Sequence, residues 1–186
     1  NDEEFWNVLY YDNWLIFQSL SRLVMYNEES EELKIFLPSE NIFNSFVVEK
    51  RVYYTSSSGL FTIENGIELL VSNDERLKNI NQYPHILNVS KKGNNILIIT
   101  DKLEFLELFP DGKLIARYSL SSNPLLRDTS VYKVISLSEG GFAIGTVGKG
   151  LVLVDENGLF YETIDKSKGI INNTILSLFE DSDSNL

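Results

Sequence analysis

Three turn dipeptides, Asn65-Gly66, Asp111-Gly112 and Asn157-Gly158, place their glycines 46 residues apart along the chain. A fixed step of that size means one supersecondary unit repeated and stacked on itself, because a single unit cannot bury its apolar faces alone. Asn or Asp followed by Gly tolerates positive φ, so each dipeptide is expected to close a type I′ hairpin. A second marker keeps the step: Val52 to Thr55, Leu97 to Thr100 and Ala143 to Thr146 end on threonines 45 and 46 residues apart, and Leu15 to Gln18 opens the series 37 residues earlier. A third marker, Gly59-Leu60 and Gly150-Leu151, leads into the apolar runs Leu60 to Ile63 and Leu151 to Val154.

Each unit reads as four short strands. In the last complete unit these are Tyr132 to Ser138, Phe142 to Thr146, Leu151 to Val154 and Leu159 to Thr163, joined by hairpin-length connections. Alanine occurs twice and glutamine twice, so good helix formers are scarce, while Val, Ile, Tyr, Phe and Thr recur between Asn, Gly, Ser and Asp. The middle strands are continuous apolar runs instead of alternating ones, as expected where both faces of a sheet are covered. The fold class is therefore all-β, made of β-propeller blades at about residues 5–40, 42–78, 85–120 and 131–164. Residues 174–186 read as the first strand and turn of a fifth, so the chain is expected to be part of a larger propeller.

With 16 basic against 27 acidic side chains the net charge is −11, which repels phosphate backbones and anionic head groups and argues against nucleic-acid or membrane contact. The absence of cysteine excludes a disulfide framework, a thiolate nucleophile and a Cys-based zinc site. Apolar runs such as Ile96 to Ile99 are four residues long, against about 20 for a membrane span. The acidic start, Asn1 to Glu4, lacks the features of a signal peptide, as a mature or excised segment would.

The stretch from Gly141 to Leu186 resembles the two-component regulator propeller repeat. Ile175 to Leu186 is similar to the first strand of that repeat, Ala143 to Thr146 to its Trp-Ile-Gly-Thr element, and Gly150-Leu151 to the step into its third strand. Lys168 to Ile175 resembles its linker. Earlier units depart from the pattern, with Arg22 and Glu104 in place of the glycine. The resemblance implies a periplasmic, ligand-sensing segment of a membrane-spanning bacterial receptor, a hybrid histidine kinase or a one-chain transcription factor. It implies oligosaccharide ligands, further blades in the same chain, signalling through the packing of two receptor chains as a homodimer, and no catalysis by the segment itself. A scaffold propeller that binds a protein partner, and a carbohydrate-active propeller enzyme, are the alternatives.

Few residues suggest chemistry. His85 is the single histidine, which leaves no multi-histidine metal site, and no Gly-x-Ser-x-Gly elbow occurs. Gly145 to Gly150 has phosphate-loop glycines but joins two strands and precedes no helix. Asp181 to Asn185 alternates oxygen side chains as calcium loops do, yet Leu186 stands where such a loop needs glycine, so a polar turn is expected. No metal or cofactor is expected. The loops that enter first strands, 38–44, 78–85, 121–130 and 167–173, share one rim of a propeller. There Tyr83, His85, Arg127 and Asn172 offer an aromatic face and hydrogen-bonding groups suited to a sugar, or they cap blades.

Overall fold

The computed structural model describes residues 3–78 and 86–186. Among them, sixteen strands form four antiparallel sheets of four, each in simple up-and-down order. The first sheet holds β1 (Asn7–Tyr11), β2 (Trp14–Gln18), β3 (Leu23–Asn27) and β4 (Leu33–Phe36). The second holds β5 (Asn44–Val48), β6 (Arg51–Thr55), β7 (Leu60–Glu64) and β8 (Ile67–Ser72). The third holds β9 (Ile86–Lys92), β10 (Asn95–Thr100), β11 (Glu104–Leu108) and β12 (Leu114–Ser119). The fourth holds β13 (Val131–Ser136), β14 (Phe142–Thr146), β15 (Leu151–Val154) and β16 (Phe160–Ile164). The fold class is all-β, with sheets of the β-propeller type.

The chain divides into two compact units, the first built around the first two sheets and the second around the last two. In the first unit, Ile16, Leu23, Ile42, Val52 and Tyr54 are buried between the sheets, flanked by Leu9, Met25, Phe36 and Phe61. Gln18 is fully buried there, and its amide is satisfied: the Ser45 hydroxyl donates to Oε1 at 2.6 Å and Nε2 donates to the Ile42 carbonyl at 3.4 Å. In the second unit the intersheet core is larger. It runs from Ile99 and Phe105 to Val134, Phe142, Ile144 and Val154, all nearly or fully buried. Each such side chain contributes about 1.5–3 kcal/mol of burial free energy.

The repeated threonines owe their regularity to the connection that follows them. Thr146 Oγ1 donates to the Gly150 carbonyl at 2.8 Å and accepts from the Lys149 amide at 3.1 Å, closing the turn from β14 to β15. Gly150 is needed there, with φ of +84° and the Ile164 carbonyl oxygen 2.3 Å from where a Cβ would sit. In the third sheet this connection is shorter, and its left-handed residue is Leu103 at φ +55°, so Glu104 already belongs to the strand and does not stand in for the glycine.

The hairpin dipeptides are of two kinds, which corrects the uniform type I′ expectation. Asn65 and Gly66 both have positive φ, as type I′ requires. At Asp111-Gly112 and Asn157-Gly158 the glycine alone is left-handed. There the Gly158 amide donates to the Asp155 carbonyl and the Asp155 amide to the Leu159 carbonyl, a three-residue loop closed by a glycine bulge. The Asp155 carboxylate accepts from the Asn157 and Leu159 amides, and that side-chain capture favours the longer loop. The two-residue turns with paired positive φ elsewhere fall on Asp12-Asn13 and Glu49-Lys50, where the sequence carries no glycine.

Residues 174–186 contain no strand. A strand needs a ladder partner, and this segment instead lies on the fourth sheet through Ile175 and Leu178. The Ile175 amide donates to the Thr146 carbonyl at 2.9 Å.

Candidate functional site

Among the described residues, loops that lead into first strands are bound to turns. In the first unit Glu40 accepts from the Ser57 hydroxyl at 2.8 Å and from the Ser58 amide and hydroxyl, sealing the turn between β6 and β7. These hydrogen bonds hold its carboxyl below the usual range, the Ser58 hydroxyl contributing most. Glu3 repeats the device 37 residues earlier, accepting from the Ser19 hydroxyl at 2.7 Å and the Ser21 amide at 3.0 Å. Its carboxyl is held down to about 2, chiefly by the Ser19 hydroxyl, then by Ser21, with Arg22 adding to the effect. In the second unit a hydroxyl and backbone groups do the same work: Thr129 Oγ1 donates to the Val147 carbonyl at 2.6 Å, and the Asn173 carbonyl accepts from the Gly148 and Gly150 amides.

Two of the four rim candidates can therefore be placed. Arg127 is exposed, with Nε donating to Asp128 at 3.1 Å. Asn172 is exposed, and its Oδ1 accepts from the Thr174 amide at 3.1 Å. Tyr83 and His85 lie outside the described residues.

A concavity of the second unit lies elsewhere. A cleft of about 560 Å³ opens between the fourth sheet and the 174–186 segment. Leu137 and Leu153 supply its apolar floor and Tyr161, about half exposed, an aromatic wall. Four carboxylates, Glu139, Asp155, Glu156 and Glu180, ring it. Asp155 is committed to its own loop, and Glu180 accepts from the Ser138 amide at 2.8 Å and hydroxyl at 2.9 Å, which ties the segment to the β13–β14 turn. Neither Arg127 nor Asn172 reaches this cleft.

Glu180 and Ser184 were findable in the sequence through the turn they bracket. The Asp181 amide donates to the Asn185 carbonyl and the Ser184 amide to the Asp181 carbonyl; Leu137, Gly140 and Gly141 make the same pair of bonds 44 residues earlier. Asp181 Oδ1 accepts from the Asp183 and Asn185 amides and from Asn185 Nδ2. The Asn185 side chain is the main reason that its carboxyl lies below the usual range. This is the polar turn expected there, its carboxylate engaged by the chain's own donors.

No family model and no curated protein matches the sequence. Solved structures do match the fold. The extracellular domain of BT4673 from B. thetaiotaomicron, assigned to a hybrid two-component system, is similar over 96% of this chain and 25% of its own, with 17% identity and a TM-score of 0.66. The corresponding domain of BT3049 covers 100% of this chain and 27% of its own, with 13% identity and a TM-score of 0.66. PorZ of Porphyromonas gingivalis, an essential bacterial surface component of the type-IX secretion system, covers 95% of this chain and 30% of its own, with 13% identity and a TM-score of 0.62. The likeness is one of fold. The chain spans a quarter to a third of the length of these structures.

Proposed function

We propose that this chain is part of the extracytoplasmic, ligand-sensing propeller of a bacterial signal-transduction receptor, and that it binds without catalysing a reaction. The supporting observation is the agreement of two independent lines. The Gly141 to Leu186 stretch resembles the two-component regulator propeller repeat, and nearly the whole chain shares its fold with extracellular domains assigned to hybrid two-component systems. The proposed ligand is an oligosaccharide, held at the rim that carries Tyr83, His85, Arg127 and Asn172. The proposed partners are further sheets of the same polypeptide, with residues 174–186 opening the next one, and a second receptor chain. The proposed location is the periplasmic side of an inner-membrane protein.

Binding would act by differential affinity: a ligand shifts a packing equilibrium only as far as it favours one arrangement over the other. A thermal-shift screen against oligosaccharides tests the reading. A ligand at a hundredfold over its Kd adds about 2.7 kcal/mol to the folded state, a melting shift of several degrees for a chain of this size. A flat response across the screen would count against it. A shift with a cell-surface protein and none with sugars would favour a scaffold role, the reading that the PorZ likeness supports.

A further inference from the structure

The first sheet has two apolar faces, and one is bare. On the side that packs against the second sheet lie Leu9, Ile16, Leu23, Met25 and Phe36. On the other side, cross-strand register sets two full rows in line. One row is Val8, Phe17, Val24 and Ile35; the other is Tyr10, Leu15, Tyr26 and Leu33. Neither row holds a charge. Val8, Tyr10, Leu33 and Ile35 are each 55–61% exposed, and Phe5, edge-on to Phe17 at 6.0 Å, and Trp6 extend the patch. Together they form one contiguous exposed apolar patch, the kind of surface that marks an interaction site.

The repeat shows what belongs on this face. A shift of 37 residues carries Leu15, Phe17, Val24 and Tyr26 onto Val52, Tyr54, Phe61 and Ile63. All four of these second-sheet residues pack against the preceding sheet. The fourth sheet does likewise: Val134, Ile144 and Val152, in register with one another, pack with Ile99 and Phe105 of the sheet before it. In both units, therefore, this face of a sheet is covered by the far face of the sheet that precedes it in the stack.

We infer that the Val8–Ile35 and Tyr10–Leu33 rows are the seat of a further four-stranded sheet of the same polypeptide, one lying outside residues 3–186. On the fourth sheet the opposite face is covered by Ile175 and Leu178. The matched structures, several times the length of this chain, have sequence in which such a sheet can lie. The inference rests on the reading of the chain as part of a larger receptor, and its test involves no ligand, so failure of sugar sensing and failure of the seat are separable.

The chain contains no cysteine, so single substitutions give site-specific thiol labelling. Tyr10→Cys and Ile35→Cys are made in the 186-residue chain and in the complete polypeptide of its reading frame, with Ile171→Cys, at a residue 95% exposed, as control. Labelling by a maleimide is followed by peptide mass spectrometry at low protein concentration, after circular dichroism confirms the fold. Expected is rapid labelling of both positions in the short chain, protection of at least tenfold in the complete polypeptide, and rapid labelling of the control in both. Equal labelling of positions 10 and 35 in the two proteins overturns the inference. Protection in the short chain that grows with its concentration also overturns it, by assigning the face to a second copy. As a second measurement, Ile35→Lys should lower the melting temperature of the complete polypeptide and leave that of the short chain within a degree; no difference between the two contradicts the seat.

Discussion

The fourth sheet meets different neighbours on its two faces. On one, Phe142, Ile144, Val152 and Val154 interdigitate with another four-stranded sheet, and Phe105 sets its ring edge-on to Phe142 at 5.0 Å. On the other, Ala143, Leu151 and Leu153 are covered by a single extended segment through Ile175 and Leu178. The residues are equally apolar; the partners differ in width. A sheet partner satisfies its own backbone in its ladder and adds only side chains, whereas the segment brings backbone that must find donors and acceptors on the sheet or in water. The Ile175 amide finds the Thr146 carbonyl, the Glu180 side chain is held by Ser138, and a cleft is still left beside Tyr161. Cover by one chain is therefore expected to be the weaker and more local of the two.

Four changes probe that contrast. The largest effect belongs to the two-sheet face: Phe142→Ala removes a ring 4% exposed and should cost about 3–5 kcal/mol, read as a lower urea midpoint at unchanged m-value. Next comes Gly158→Ala. The new methyl would lie 2.5 Å from the Tyr118 ring that stacks on Phe105, at a φ of +79°, and about 1–3 kcal/mol should be lost. Gly145→Ala acts on the other face, where the methyl would meet Ile175 Cγ2 at 2.9 Å. It should release the segment to proteolysis near residue 175 while the urea midpoint falls by no more than about 1 kcal/mol equivalent. A fall as large as that of Phe142→Ala would show that the segment is integral to the fold.

The smallest effect is electrostatic. Asp181 titrates below its ordinary value, so its contribution is fully present above about pH 4 and is lost as pH falls through the depressed value. Mild acid should loosen the 181–185 turn before it affects the intersheet core. Amide exchange followed from pH 5 to pH 2 would show this as loss of protection at residues 181–185 ahead of the intersheet core, and simultaneous loss across both faces of the fourth sheet would contradict the contrast.

The repeat was legible because it rests on local chemistry. Turn glycines and the threonine that closes each second-strand turn obey backbone and hydrogen-bond constraints set within a few residues, and β14 and β15 fall on the residues that the sequence assigned to them. What escaped depends on side-chain capture and backbone conformation that residue identity does not signal, or on partners far along the chain. The type I′ reading failed at Asp111 and Asn157, because side-chain capture by a neighbouring carboxylate selects the longer loop at the fourth sheet's turn. Leu103, left-handed without being glycine, gives no signal in its own identity. The cleft was not read either, because Leu137, Tyr161 and Glu180 are brought together only by docking of the segment. The rim candidates Arg127 and Asn172 were found as surface residues of suitable chemistry, and no spacing rule relates one loop to another.

The order of residues alone determined that the chain makes short antiparallel strands in repeating units, and that each unit is greasy on both sides, because period and turn chemistry are written in near neighbours. Tertiary structure alone decided which of those sides are filled, by a whole sheet, by one strap of chain or by nothing yet, because burial is a property of the pair of surfaces and not of either one.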